Sequence, residues 1–314
     1  MCTKHGDRSW GWKSLLVLIT LLFCVTINIQ AGDISSQLKI PDTGISQMIS
    51  LQDGSTLVGR IKEIKDNEII FEAKHGDLTI PIDQIIEIKE ISDDDIKGGK
   101  YWFPNPNQTR LYFGPTGRML KKGEGYFSDV YLFFPSVTYG VSDNFSISGG
   151  ISIFPTDDFG EQLIYVTPKI GFKANENLSI AGSAIIVRVP DWFGDDDDIN
   201  NDGEDDIADI VGILFATATY GNEDNSLTFG LGFGYADDEV SSNPAIQVGG
   251  EYRMSRRMSF VTENWVFPEM DDPMISYGFR FFGETMAVDL ALFNVLNDDA
   301  FFPGLPYIDF VYNF

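Results

Sequence analysis

The sequence predicts an all-β chain: an antiparallel transmembrane β-barrel of about 12 strands preceded by a small β-barrel. Three observations predict it. Apolar and polar residues alternate over many segments of strand length, and short and long connections alternate between those segments. After the first thirty residues, no apolar run approaches the roughly 20 residues that a membrane-spanning helix needs.

The first 31 residues have the pattern of a secretory signal peptide. Three basic residues come first, an apolar core follows over 15–23, and Ala31 begins a small-residue cleavage site. Cys24 raises the alternative of a lipoprotein, but Phe23 stands where lipidation needs a small residue. We therefore expect cleavage after Ala31 and export into the envelope of a Gram-negative bacterium.

The charge of the chain argues against nucleic acid as a partner. The formal net charge is -25, and the leader carries three basic residues and one acidic residue, so the mature chain keeps 19 basic and 46 acidic residues. Nucleic-acid phosphates need a basic surface, which this composition does not supply. Both cysteines, Cys2 and Cys24, lie in the leader, so the mature chain has no thiol or disulfide chemistry.

Residues 45–92 predict a small periplasmic β-barrel domain. Short alternating strands are separated by turn residues, and we place the strands at 49–51, 56–64, 68–73, 78–81 and 85–91. The pattern of Asp53-Gly54-Ser55, Gly59 and Gly76, ending at Ile80-Pro81, resembles Sm-like small barrels, which are related in shape to SH3-like barrels. That resemblance implies an interaction or assembly module with a periplasmic protein partner. Cytoplasmic Sm-like domains bind RNA, but this segment lacks the basic and aromatic surface for it.

Residues 93–108 predict a polar, flexible linker. Asp93, Asp94 and Asp95 are followed by Gly98-Gly99, and Tyr101-Trp102-Phe103 comes next. Consecutive aromatic residues before a barrel are typical of the belt at a membrane–water interface, and packing into a core is the alternative.

Residues 109–314 predict the barrel itself. The alternation is clearest in 145–153 and in 227–233, and the twelve predicted strands are 109–114, 125–142, 145–154, 163–174, 177–189, 207–221, 226–238, 245–254, 257–267, 274–283, 286–294 and 306–314. An even count brings both ends of the barrel to the periplasm. The segment 125–142 is too long for one strand and contains Pro135, so a split there would change the count.

The final segment, 307–314, predicts the closing strand. Ile308, Phe310, Tyr312 and Phe314 share one face of an extended chain. An aromatic face that ends on a terminal Phe resembles the assembly signal of bacterial outer-membrane barrels. The resemblance implies insertion by the barrel-assembly machinery and outer-membrane lipid as a partner.

A second resemblance covers about 40 residues at the start of the barrel. The stretch from Phe113 to Tyr126, followed by 129–134 and 139–145, resembles a family of outer-membrane β-barrel proteins from Bacteroidetes-like bacteria. It implies a barrel and an envelope location, and it implies no substrate.

An acidic loop predicts a calcium site. Oxygen-bearing side chains stand at positions 1, 3, 5, 9 and 12 of a twelve-residue run with Gly203 at position 6: Asp198, Asn200, Asp202, Asp206 and Asp209. Position 12 is Asp rather than Glu and helices do not flank the run, so it resembles the Asp-rich repeats of extracellular proteins more than an EF-hand. The alternative is a solvated acidic hairpin loop without a specific ion.

Charged residues on the predicted strands are expected to point into the lumen, because charges facing lipid are costly. They are Lys169, Lys173, Glu251, Arg253, Glu263, Arg280, Asp289 and Asp309. They either pair across the lumen and close a narrow barrel, or line a path and select solutes by charge. The glycine-rich inner faces of 149–150 and 228–234 leave room beside paired charges, which favours a narrow or occluded channel.

The sequence does not predict an enzyme. His75 is the single histidine after the leader, and it lies in a turn beside Gly76, so a Ser–His pair is not expected in the barrel. We predict an outer-membrane barrel that serves as a narrow or occluded channel, or as a structural or binding platform, with a periplasmic interaction domain. The alternative is a secreted soluble β-sandwich that binds a ligand or a surface sugar.

Overall fold

A computed structural model describes residues 34–156, 159–190, 210–236, 239–268, 270, 272–296 and 303–314. The chain divides after Phe103 into two compact units. The predicted leader, 1–31, and the predicted calcium loop, 198–209, lie outside the described residues. Within them, none of the helices is long and apolar enough to cross a membrane.

The first unit is an antiparallel five-stranded sheet with the order β4-β3-β2-β1-β5. A short helix precedes it, and the elements are α1 (Ile34–Gln37), β1 (Ile45–Leu51), β2 (Thr56–Ile64), β3 (Glu68–Ala73), β4 (Gly76–Pro81) and β5 (Ile85–Ser92). All five predicted strands are confirmed, with their ends shifted by a few residues at most. The Sm-like identity of this sheet stays a prediction.

Isoleucine dominates the core of the first unit because β-branched side chains fit the pleated surface of a sheet. The buried side chains are Ile49, Ile61, Ile69, Phe71, Ile80, Ile85 and Ile88. The helix packs on the edge strand β5, where the backbone N–H of Ile88 donates to Oε1 of Gln37 at 3.2 Å. The Gln37 side chain therefore satisfies a backbone N–H group at the edge of the sheet.

The linker at 93–108 stays a prediction, although its first half carries regular structure and Asp93 is bonded to side chains of the sheet. Ser46 donates to its carboxylate at 2.6 Å, and Arg60 forms an ion pair with it. The hydrogen bond from Ser46, supported by the charge of Arg60, lowers the pKa of Asp93 below its ordinary value. A small hairpin follows, β6 (Ile96–Lys97) and β7 (Lys100–Tyr101), and Tyr101 and Phe103 are buried rather than displayed as a belt.

The second unit is a closed antiparallel β-barrel. Within the described residues twelve strands form its wall, and a further two-residue strand pairs antiparallel with the end of one of them. The strands are β8 (Gly125–Val130), β9 (Phe134–Ser142), β10 (Phe145–Ile151), β11 (Ile164–Asn175), β12 (Leu178–Arg188), β13 (Ile210–Gly221), β14 (Asn225–Ala236), β15 (Glu239–Val240), β16 (Ala245–Ser255), β17 (Met258–Val266), β18 (Met274–Phe282), β19 (Met286–Val295) and β20 (Leu305–Asn313). Pairing of β8 with β20 closes the wall, so the alternative of a β-sandwich is wrong.

The alternation of the sequence sorts residues to the two faces of the wall. On β14, four large apolar side chains are exposed on the outside: Leu227, Phe229, Leu231 and Phe233. Thr228, between the first two, is fully buried on the inside. An apolar outer face around a polar interior is the pattern of a membrane-spanning barrel.

The predicted count of twelve holds because one predicted strand is wrong and the alternative of a split in 125–142 is confirmed. Residues 109–114 form no strand, and 125–142 is two strands joined by the turn 131–133. Pro135 lies at the second position of β9, close to that turn, where a missing N–H disturbs the ladder little.

The connections distinguish the two ends of the barrel. The two-residue or three-residue turns 143–144, 176–177, 222–224, 256–257 and 283–285 lie at one end, which we call the turn end. The barrel also starts and stops there, because Gly125 and Phe314 exchange backbone hydrogen bonds of 3.1 and 2.9 Å. The opposite end, which we call the loop end, carries 131–133 and the longer connections.

Neighbouring isoleucines on β5 test the core of the first unit. Ile85 is 2% exposed and Ile86 is 57% exposed. We expect Ile85→Ala to lower the stability of this unit by about 2–5 kcal/mol, since it leaves a cavity among packed side chains. Ile86→Ala should change it by less than about 0.5 kcal/mol. The measurement is the urea midpoint for protease cleavage within 34–103 of the full chain, and equal midpoints for the two variants would contradict the assigned faces.

Candidate functional site in the barrel lumen

Residues 104–118, which we call the luminal strap, fill the centre of the barrel. Asn105 and Asn107 are buried near its start, and Leu111 and Tyr112 are buried in its middle. The strap enters near the turn end, where Nδ2 of Asn313 donates to the carbonyl of Pro106 at 2.8 Å. It leaves toward the same end, so it is a loop inserted into the lumen.

The strap reverses direction at 111–114, and this turn explains why the strand predicted at 109–114 is wrong. The N–H of Leu111 donates to the carbonyl of Gly114 at 2.9 Å, and Arg110 forms an isolated bridge with Pro115. Pro115 has no N–H with which to continue a ladder. A Cβ on Gly114 would lie 2.0 Å from Nε2 of Gln247 and 2.9 Å from Cζ2 of Trp265, so any larger residue there would have to displace these two side chains of the wall.

Aromatic rings hold the tip of the strap near the loop end. The ring of Tyr112 lies 5.6 Å from that of Phe293 and 5.3 Å from that of Tyr307. The ring of Phe113 lies 4.9 Å from the ring of Tyr307 in an edge-on arrangement. Such pairs add stability beyond the area they bury, so the tip is anchored by the buried ring of Tyr112, whereas Phe113 stays partly exposed.

The structure places seven of the eight predicted luminal residues in the barrel interior. Lys169, Glu251, Arg253, Glu263, Arg280, Asp289 and Asp309 are all buried. Lys173 is an even number of residues from Lys169 on β11, but it is exposed because it lies only two residues from the turn end of that strand.

Arg280 is the centre of a buried charge cluster. Its Nε and Nη2 donate to the two oxygens of Asp289 at 2.7 and 2.8 Å, which is a bidentate pair between facing residues of β18 and β19. Its Nη1 donates to Glu251 at 2.9 Å. The same guanidinium also donates to two strap carbonyls, of Asn107 at 2.5 Å and of Leu111 at 2.6 Å. Arg280 therefore joins three wall strands to the strap.

Glu263 is satisfied by N–H groups rather than by a cation. Its carboxylate accepts from the backbone N–H groups of Tyr112, Phe113 and Gly114 at 2.7, 3.1 and 3.0 Å. The indole N–H of Trp265 adds a fourth bond at 2.7 Å. Four donors around one buried carboxylate offset the cost of its desolvation.

Two further pairs differ from the predicted network of wall residues. Asp309 accepts from Arg110 of the strap at 2.5 Å, and Arg253 pairs with Asp224 in a turn at 2.9 Å. The prediction that inward charges pair across the lumen therefore named Arg253 and Asp309 but not their partners. Arg110 belongs to the predicted strand 109–114, and Asp224 lies between the predicted strands 207–221 and 226–238.

The opposite half of the lumen is lined by hydroxyl groups. Oγ of Ser128 lies 2.7 Å from Oγ of Ser136, and Oγ1 of Thr138 lies 2.7 Å from Oγ of Ser148. Lys169 lies beside them and donates to the strap carbonyls of Thr109 and Arg118 at 2.9 and 2.6 Å. The strap thus separates a packed, charged half of the lumen, on β16–β20, from a hydroxyl-lined half on β8–β12.

Sequence reasoning missed the polar strap residues that complete this site. Asn105 donates to Glu251 at 2.8 Å and Asn107 donates to Asp289 at 3.3 Å. One signal was available, because 109–114 is short and runs into Gly114-Pro115, which favours a turn over a barrel strand.

The calcium prediction stays a prediction, because Asp198, Asn200, Asp202, Asp206 and Asp209 all lie outside the described residues. In the part of the chain that the structure describes, three or more His, Cys, Asp or Glu side chains do not gather in a group that could hold a metal ion.

Comparisons with known proteins return outer-membrane barrels at low similarity. A loop L8 deletion mutant of OmpT from Vibrio cholerae is 13% identical with a TM-score of 0.32, over 86% of this chain and 96% of that one. OmpT of Vibrio cholerae expressed in the outer membrane is 13% identical with a TM-score of 0.31, over 88% and 100%. Salmonella typhi OmpF in complex with daunomycin is 10% identical with a TM-score of 0.31, over 86% and 95%.

No family model matches the chain, and no curated protein matches it either. The architecture therefore rests on the strand pairing and the faces of this chain. They make it an outer-membrane type of β-barrel, with a closed wall, an even number of strands among the described residues, and an apolar outer face.

Removal of Arg280 tests the charged half of the lumen. We expect Arg280→Ala to destabilise the barrel by about 3–5 kcal/mol, because Glu251 and Asp289 lose their buried cation. Arg257→Ala, at an exposed arginine in a turn, is the control and should change stability by less than about 0.5 kcal/mol. The measurement is the temperature at which the folded form disappears in detergent gels. A melting temperature of Arg280→Ala equal to that of the control would show that the cluster contributes nothing.

Proposed function

We propose that this chain is an outer-membrane β-barrel protein whose lumen is occluded by its own strap. It acts as a binding or structural platform rather than as an open pore. The observation that carries the proposal is the course of residues 104–118 through the centre of the barrel, held by Arg280, Glu263 and Asp309. A twelve-stranded wall lies between the side-chain-filled barrels of eight strands and the open barrels of sixteen, so the number of strands favours neither, and the strap is the feature that supports occlusion.

The outer surface supports a location in the bilayer. Large apolar side chains are exposed around the wall, among them Ile147, Phe172, Phe229, Phe279 and Ile308. Most strands have 9–12 residues, which matches the roughly 9–11 residues that a tilted strand needs to cross. A soluble barrel would expose polar residues at these positions, since a contiguous apolar surface of this kind favours lipid.

We further propose that the first unit is a periplasmic interaction module. Its sheet has its own isoleucine core, and its acidic and basic side chains form exposed pairs such as Lys62–Asp77 and Lys65–Glu68. The proposal rests on the predicted signal peptide and on the even strand count, which returns the start of the barrel to the periplasmic side. We propose no catalytic activity.

Fractionation and gel mobility test the location. We expect the protein to fractionate with the outer membrane and to migrate differently in detergent gels before and after boiling, because a folded barrel resists the detergent at room temperature. Release into the periplasmic extract, with identical mobility in both gels, would contradict the membrane proposal.

Planar-bilayer recording tests the occlusion. The wild-type protein should show negligible conductance, because the strap fills the centre of the lumen. A variant in which 104–118 is replaced by a Gly/Ser segment of the same length should conduct, since Glu263 and Asp309 then face water instead of the strap.

The control for this recording changes residues that follow the strap. Lys121 and Lys122 are exposed, and their replacement by Ser leaves residues 104–118 intact. This variant should stay silent in the bilayer. A wide, unselective conductance of the wild-type protein would overturn the proposed occlusion.

A further inference from the structure

The hydroxyl-lined half of the lumen contains a chamber of about 490 Å³. The strap forms one side of it, through Arg110, Tyr112, Phe113 and Pro115, and strands β8–β12 form the other. The volume falls within the range of about 300–1,000 Å³ that is usual for small-molecule sites. The chamber is therefore large enough for a ligand although the centre of the barrel is closed.

The chamber runs from the loop end of the barrel toward the turn end. Tyr131, in the turn between β8 and β9, and Phe134, just after that turn, line it at the loop end. Tyr126, Ser146 and Lys169 line it deeper in the barrel. A ligand entering at the loop end would pass aromatic rings first and reach hydroxyl groups and a lysine afterwards.

The charge of the lining is opposite to that of the chain. The formal net charge of the chain is -25, yet the charged side chains among the described residues that line the chamber are Arg110 and Lys169 alone. Asp309 neutralises Arg110. Lys169 forms no ion pair with a carboxylate among the described residues. Its two hydrogen bonds go to backbone carbonyls instead. An ammonium group has three donors, which leaves one for the chamber.

The hydroxyl groups add the capacity to bind a polyol. The pairs Ser128–Ser136 and Thr138–Ser148 stand side by side on β8–β10, and either oxygen of each pair can be the donor. Hydroxyls that donate and accept match the hydroxyls of a sugar, which do the same. The aromatic rings of Tyr131, Phe134 and Tyr165 supply flat apolar surface for the C–H face of a sugar ring.

We propose that this chamber binds a small sugar that carries one anionic group, with the anionic group at Lys169 and the sugar hydroxyls at the Ser and Thr pairs. The proposal rests on the proposed occluded barrel, since an open pore would pass the sugar instead of holding it. It assigns the binding role to β8–β12 and leaves the charged half on β16–β20 as the structural part of the lumen.

Titration calorimetry on the full-length folded protein in detergent tests this inference. The probes are glucuronate, glucose 6-phosphate, neutral glucose and inorganic phosphate. We expect both anionic sugars to bind the wild-type protein more tightly than glucose and more tightly than inorganic phosphate. Equal affinity for glucose 6-phosphate and inorganic phosphate would overturn the sugar part of the proposal, and absence of binding by every probe would overturn all of it.

Two lysines on β11 give a matched pair of variants. Lys169→Met should weaken glucuronate binding by at least about tenfold, since a charged hydrogen bond is lost, and should leave the affinity for glucose nearly unchanged. Lys173→Met removes an exposed lysine four residues along the same strand and should change neither affinity. Unchanged glucuronate binding in Lys169→Met would overturn the role of the lysine.

Ser136→Phe decides the matter if Lys169→Met does not fold. It fills the chamber and leaves the contacts of Lys169 with the strap in place, so it should abolish binding of both sugars. Sugar binding that persists in this variant would place the site elsewhere. Negligible wild-type conductance without sugar binding would remove this inference and keep the occluded barrel, whereas open conductance would remove the occluded barrel itself.

Discussion

The interior of this barrel depends on satisfying carboxylates that cannot reach water. Glu263 is fully buried and receives N–H groups from three consecutive strap residues. A buried carboxylate without such donors is expensive, so the wall and the strap each need the other. Asp309 is likewise a carboxylate of the wall whose donor, Arg110, comes from the strap. The strap is thus the partner that the excess negative charge of the wall requires, and not a loop that happens to lie in the lumen.

This requirement also explains why the two halves of the lumen differ. Carboxylates lie on β16–β20, so the strap packs against that side and leaves its other face to β8–β12. Serine and threonine hydroxyls on those strands satisfy one another in pairs, as in Thr138–Ser148, and do not need the strap. A chamber therefore remains where the wall hydroxyls bond to one another, and the strap fills the lumen where the wall carries carboxylates.

The alternation of apolar and polar residues was enough to predict the wall, because a one-residue slip would turn every side chain to the wrong face. It assigned the outer face of β14 and the inner position of Arg280 correctly. The length of 125–142 raised the alternative of a split, but the sequence did not locate the turn at 131–133, where Tyr131 and Leu132 adopt positive φ angles of 56° and 64° without being Gly, Asn or Asp. Tertiary contacts hold that turn, since the hydroxyl of Tyr131 donates to the carbonyl of Pro306 at 2.9 Å. The residues of the turn do not by themselves predict a contact with a residue 175 positions away in the sequence.

Glycines on the inner face of the wall are a second feature whose role depends on residues far away in the sequence. Glycine-rich strands predict open space in the lumen, but a missing side chain leaves room that another segment of the chain can occupy. A Cβ on Gly249 would lie 2.5 Å from Cδ1 of Leu111, so this glycine of β16 makes room for the strap. Gly114 is a glycine of the strap itself, and its missing side chain lets the strap lie against Gln247 of the wall. A glycine in the wall of a barrel thus indicates that something comes close to the wall at that point. Whether it is water or another segment of the protein depends on which of them supplies hydrogen-bond donors to the neighbouring carboxylates.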